Sequence, residues 1–97
     1  MFAFLTKRRR ELERIVLERI VLEALIDGPS YGYPIRNAIR ARPDGRNLAF
    51  GLIYTILARL VRLGYAEVVA GSARWEGPPR KLYQLTAAGR EVINACP

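Results

Sequence analysis

Residues 74–86 read RWEGPPRKLYQLT. A Gly-Pro-Pro triplet stands beside a β-rich run, with bases on both sides. Proline has no amide hydrogen to give to a ladder. Pro78 and Pro79 therefore belong outside paired strands, and Gly77-Pro78-Pro79 reads as the tip of a hairpin. Its strands are YAEVVAG at 65–71 and RKLYQLT at 80–86. A tip stiffened by proline loses less entropy on docking. Arg74, Arg80 and Lys81 flank it as candidate contacts to phosphate or to a groove.

Three helices are predicted before the hairpin. Residues 12–23, LERIVLERIVLE, nearly repeat a five-residue unit and contain no breaker until Asp27-Gly28-Pro29. A five-residue step turns a helix by about 140°, so the apolar residues do not keep to one face. Val16, Leu17, Ile20, Val21 and Ala24 make one side. Leu12, Ile15, Leu22, Leu25 and Ile26 make much of the other. A helix apolar on two sides is buried on two sides, either within its own domain or partly against a second copy. The next helix is YGYPIRNAIRAR at 31–42, with Ser30 as its expected cap. Its inner face is Ile35, Ala38 and Ile39, with Arg36, Asn37 and Arg40 outside. RPDGRN breaks the chain. Asn47 is the expected cap of LAFGLIYTILARLVRLG at 48–64, where Ile53, Ile56, Leu57, Leu60 and Leu63 keep core spacing and Gly64 ends the helix. Thr86 caps a short last helix in which Val92, Ile93 and Ala95 supply the apolar contacts. The expected fold is mainly α with a small β-hairpin, a winged helix-turn-helix in the order α-α-α-β-β-α. Residues 1–10 form a basic lead-in, and 11–97 form the domain with its short C-terminal helix.

Charge and composition narrow the function. The net charge of +7 is unevenly placed: residues 1–10 carry +4, 11–30 carry −3 and 31–64 carry +5. A basic middle beside an acidic opening suggests a face made for a polyanion. The absence of histidine and the single cysteine, Cys96, leave no catalytic constellation and no thiolate metal site. The chain is not expected to be an enzyme or to hold a cofactor. A lone cysteine fits a reducing, cytoplasmic setting, and no apolar run approaches the roughly 20 residues of a membrane span.

An α-helix fits the major groove of double-stranded DNA, a preceding helix braces it on phosphates, and a hairpin tip reaches the adjoining backbone or minor groove. On this logic Arg36, Arg40, Asn47, Thr55 and Arg59 are the polar candidates on the two helices. The alternative is a winged helix that binds DNA without sequence preference, as an architectural or replication-associated factor.

Three segments resemble the PadR-like transcriptional regulators. PSYGYPI at 29–35 is similar to that family's His-Gly-Tyr segment, with Tyr31 in place of His. GLIYTILARLVRLGY at 51–65 resembles its recognition helix, Gly-x-x-Tyr-x-x-Leu-x-x-Leu. GPPRKLYQLTAAGRE at 77–91 resembles its wing and the start of its last helix. The resemblance implies a homodimeric repressor on a palindromic operator, with a recognition helix at about 48–63 and a wing at about 72–81. It also implies DNA contacts at Tyr33, Tyr54, Arg59, Arg80 and Lys81, and a small aromatic or cationic effector near the dimer interface. Ala49-Phe50 replaces the family's usual Ser-Pro, and Leu52 replaces a common Thr. The family dimerises mainly through a long C-terminal helix, whereas residues 86–97 hold roughly three turns. The expected dimer face is therefore the second side of the first helix, Leu12, Ile15 and Leu22, extended by Phe2, Phe4 and Leu5. Its other side, from Val16 through Ile20 to Ala24, is expected to pack on the next two helices, and Lys7–Arg10 to splay towards phosphates.

Overall fold

The computed structural model describes residues 2–43, 45–69 and 81–95, with the side chains of 2–6 excepted. The hairpin tip, Arg74 and Arg80 lie outside the described residues, as do Cys96 and the side chains of Phe2, Phe4 and Leu5. The order is α1 (Phe2–Glu23), α2 (Gly32–Arg40), α3 (Phe50–Arg62), β1 (Ala66–Val69), β2 (Leu82–Leu85) and α4 (Ala87–Ala95). This is the expected winged helix-turn-helix order.

The core is one cluster, and α3 runs through it. Ile53, Ile56, Leu57 and Leu60 are buried against Ile20, Val21, Leu22 and Leu25 of α1 and its C-terminal turn, Ile35 and Ile39 of α2, and Tyr83 and Leu85 of β2. No charged side chain is buried among the described residues. Leu48 is buried just ahead of α3 and anchors the loop that delivers it.

The two apolar sides of α1 separate along its length as well as around its axis. Its C-terminal part is enveloped: Leu22, expected at a dimer face, is only 2% exposed and has no surface to offer a second copy. In the N-terminal part, Leu12, Ile15 and Val16 are 57%, 54% and 45% exposed. Val16, expected to pack on α2 and α3, thus lies outside the core. At 100° per residue these three centre on the side opposite Val21.

Ser30 does not cap α2. The N-cap is Tyr31, in extended conformation and with no side-chain cap bond. Ser30 instead forms an antiparallel bridge to Tyr83, each amide donating to the other's carbonyl at 2.9 Å. Strand β2 is therefore hydrogen-bonded on both edges, to Ser30 and to β1 in the register Ala66↔Leu85 through Val69↔Leu82. Asn47 does not cap α3 either; Ala49 holds that position without a side-chain bond.

The other two expected helix signals hold. Gly64 takes φ +82°. Its amide donates to the Val61 carbonyl (3.1 Å) and that of Tyr65 to the Leu60 carbonyl (2.9 Å), the paired bonds that close a helix around a left-handed residue. The Thr86 hydroxyl accepts from the Gly89 amide (3.0 Å) and donates to the Gly64 carbonyl (2.6 Å), so one side chain caps α4 and ties it to the end of α3. A Cβ at Gly89 would meet the Tyr65 carbonyl oxygen and sit 2.8 Å from Leu85 Cδ1. That explains the glycine within TAAGRE. On α1, Arg19 donates to the Ile93 carbonyl (3.0 Å) and holds α4 against it.

Burial, and then the nearby Tyr54 phenol, raise the Tyr83 hydroxyl above the ordinary tyrosine range. The folded state thus favours neutral Tyr83, while the unfolded chain ionises it from about pH 10. Stability should be unaffected below that pH and fall as pH rises through the folded value. Urea titrations of Tyr83→Phe at pH 8 and pH 11 should show a smaller alkaline loss than the parent. Equal losses would mean that other groups dominate.

Candidate nucleic-acid interface

The exposed side of α3 follows from its buried side. Gly51, Thr55, Ala58 and Arg62 are all exposed. Their i, i+4, i+7, i+11 spacing keeps them within about 60° of one another, opposite the Ile53–Leu60 seam. The stripe is about 16 Å long at 1.5 Å per residue. Tyr54 flanks it towards α2, while Leu52 and Arg59 flank it towards α1.

On the α2 side an aromatic row joins the two helices. The Tyr33 and Phe50 rings stack at 5.8 Å and 22°, and those of Phe50 and Tyr54 at 6.4 Å and 26°. Tyr33 and Tyr54 remain 61% and 46% exposed, so the row is at the surface. The Arg36 guanidinium lies 4.6 Å from the Phe50 ring centroid. Its Nε donates to the Leu48 carbonyl (2.9 Å) and its Nη2 to Asn47 Oδ1 (3.3 Å). Arg36, Asn47 and Phe50 thus fix the entry of α3 without a conventional cap. Phe50 was not among the predicted site residues. The signal was its place at the replaced Ser-Pro, which marks a change of bracing. Gly32 completes the arrangement: a Cβ there would meet the Tyr54 hydroxyl and lie 2.7 Å from its Cζ.

On the α1 side, acidic residues meet the arginines. Arg59 Nε donates to Glu18 Oε1 at 2.6 Å, and Arg14 approaches the same oxygen at 3.7 Å. Arg46 pairs with Glu13 and Arg42 with Glu23, each at 3.8 Å. The acidic opening of the chain therefore offsets three of the six arginines in 31–64, rather than simply flanking a basic face. Arg59 is turned to α1 and engaged there. Arg40 at the end of α2, Arg62 on the stripe and Lys81 just before β2 are exposed, and no ion pair holds them among the described residues. Arg62 is a candidate that motif matching passes over, because it lies two residues beyond the last pattern position, Leu60. A cleft of about 580 Å³ lies between α1 and α3, with Arg10, Arg14, Glu18, Thr55 and Arg62 along it.

Thr55 is exposed, but its hydroxyl donates to the Gly51 carbonyl at 2.8 Å. Of the predicted residues that are described, Tyr33, Tyr54, Arg40 and Lys81 are exposed, Thr55 and Asn47 are exposed but hydrogen-bonded within the chain, and Arg36 and Arg59 are half-buried with partners there.

An exposed, small-residue stripe on the third helix of a helix-turn-helix, with a two-stranded wing behind it, defines a winged-helix protein of the transcription-regulator type. A model of the PadR-like transcriptional regulator family matches residues 21–95, and the chain belongs to that family. No curated protein sequence matches it significantly. Among solved structures it is similar to a transcriptional regulator from Clostridium thermocellum, at 29% identity and TM-score 0.73 over 88% of this chain and 80% of that one. A PadR-like transcription factor from Bacteroides fragilis shares the fold at TM-score 0.80 and 22% identity, covering 92% and 84%. Bacillus subtilis PadR, solved in complex with operator DNA, shares it at TM-score 0.72 and 22% identity. That match covers 82% of this chain and 45% of the other. No helix among the described residues is long and apolar enough to cross a membrane.

Gly32→Ala should lower stability by about 1–3 kcal/mol, the range for one methyl forced into an occupied site. In a Tyr54→Ala background the same change should be neutral or stabilising, because alanine is the better helix former. Thermal melts of the four proteins give the coupling. Additive effects would show that the ring does not press on Gly32.

Proposed function

We propose that the chain is a sequence-specific DNA-binding transcriptional regulator acting in the cytoplasm as a homodimeric repressor. In this reading α3 enters the major groove, and the wing at about 72–81 lies on the backbone or in the minor groove. The observation that carries it is the outer stripe of α3 ending at Arg62, bordered by exposed Tyr33 and Tyr54 and by Arg40, neither arginine being ion-paired among the described residues. The Bacillus subtilis neighbour, which shares this fold, was solved bound to operator DNA, and that supports DNA as the ligand. The scarcity of long polar side chains on the stripe favours one competing reading, a winged helix without sequence preference. Selection of bound duplexes from a random pool separates the two: the proposal requires an enriched motif that resists competitor DNA.

Phosphate contacts are assigned to Arg40, Arg62 and Lys81, with Arg74 and Arg80 of the wing. Each cation that neutralises one phosphate adds about one unit to the slope of log K against log salt. Arg62→Ala and Lys81→Ala should each flatten that slope by about one unit. Arg59→Ala, which removes an internal partner, should leave the slope nearly unchanged. A slope that responds to Arg59 and not to Arg62 would reverse the assignment.

For the dimer, Leu12 and Ile15 form the proposed contact, with Val16 joining them. A two-fold pairing of this stripe would hold two α3 helices at a fixed spacing for successive major grooves. Ile15→Glu lies outside the core, so the variant should remain folded by circular dichroism yet sediment as a monomer. A folded variant that stays dimeric would place the interface elsewhere.

A further inference from the structure

Glycine inside a helix costs about 1 kcal/mol relative to alanine, so Gly51, in the first turn of α3, invites a reason. Gly32 and Gly89 have internal ones, since a Cβ at either would strike a neighbour. Gly51 has none: nothing lies within 4 Å of where its Cβ would be, and its φ is not positive. The space it leaves opens outward, on the stripe proposed to face DNA. One turn on, the Thr55 hydroxyl proton is committed to the Gly51 carbonyl at 2.8 Å. With its proton given to Gly51, Thr55 has no donor to offer outward, only its methyl and the acceptor capacity of its oxygen. Ala58, next on the stripe, has only a methyl and is exposed. The centre of the stripe thus has no side-chain hydrogen-bond donor, and Arg62 closes its end.

In the major groove one base-edge group is recognised by apolar contact, the C5-methyl of thymine. From these features we infer that α3 reads its half-site mainly through thymine methyl groups. Thr55 and Ala58 supply the apolar contacts, and Gly51 lets the base edges approach the helix backbone. The inference rests on the proposed DNA-binding reading and specifies what that site recognises. It predicts half-sites that bear thymine where the centre of α3 lies, with hydrogen bonds donated to base edges confined to the ends of the helix.

The test uses the full chain and the duplex enriched from the random pool, with thymines in each half-site replaced one at a time by uracil, which lacks only the methyl. At one or two positions affinity should fall about fourfold, the factor corresponding to one buried methylene-sized group. Thr55→Val, which keeps a methyl and removes the hydroxyl, should bind within about twofold of the parent on this criterion. Thr55→Ser, which keeps the hydroxyl and removes the methyl, should bind about fourfold more weakly and become insensitive to uracil at the position Thr55 reads. Gly51→Ala should weaken DNA binding while its thermal stability holds or rises. An enriched duplex indifferent to uracil at every position would overturn this inference alone. So would a Thr55→Ser protein that binds like the parent while Thr55→Val does not. If no sequence is enriched, the specific-binding reading fails and this inference with it.

Discussion

The arrangement depends on one demand placed on α3: to be buried completely along one side and left bare along the other. Ile53, Leu57 and Leu60 are sealed, and that seam draws α1, α2 and the wing strands around a single helix. Burying a large aliphatic side chain is worth about 1.5–3 kcal/mol, so the seam dominates the stability of a domain this small. It also fixes the rotation of α3, because turning it by one residue would expose a core side chain. The outward position of Gly51, Thr55, Ala58 and Arg62 is thus a by-product of packing on the opposite face. The face that α3 turns outward is held by the core, not by a cap or a loop.

Two different chemistries steady the flanks of that helix. Towards α2 the contacts are aromatic and short-range, with Arg36 over Phe50 and Tyr54 seated on Gly32. Towards α1 they are ionic, with Glu18 between Arg14 and Arg59. Exposed ion pairs contribute little, typically under about 1 kcal/mol, but Glu18 is partly covered and accepts a short bond. The arginine that family resemblance placed on DNA is held here by Glu18 of α1, whereas Arg40, Arg62 and Lys81 are exposed.

How far the fold was legible follows from which signals are local. The spacing of Ile53, Ile56, Leu57, Leu60 and Leu63 is a property of consecutive residues, and it identified α3 and its inner face except at Leu63, which lies past the end of the helix and is 45% exposed. Thr86 and Gly64 act within a few residues of themselves and were also readable. Ser30 and Asn47 have equally good capping chemistry, yet neither caps. Ser30 is claimed by Tyr83 and Asn47 by Arg36, partners that only the folded chain brings near. Leu22 was misplaced because helical periodicity reports angle and not depth: it lies well round the helix from Val21, at a level where neighbours surround α1. The pairing of Arg42, Arg46 and Arg59 with α1 could not be read from charge totals, which do not say which helices touch. Phe50 was visible as a departure from a familiar pattern, but its bracing role needed Tyr33, Arg36 and Tyr54 in place around it.

The contacts that close the domain join its distant ends. Arg19 reaches the Ile93 carbonyl across 74 residues, and Ser30 pairs with Tyr83. Such links set the order in which the chain can fold as it is synthesised. Helices α1 to α3 can assemble early from nearby contacts, but β2 and α4 must emerge before the sheet edges and the C-terminal part of α1 are covered. Long-range closure of this kind slows folding relative to a simple helical bundle of equal size. Until β2 emerges, the backbone of Ser30 is unpaired. Completion of the wing and the last helix is thus the step that converts an adhesive intermediate into a finished domain.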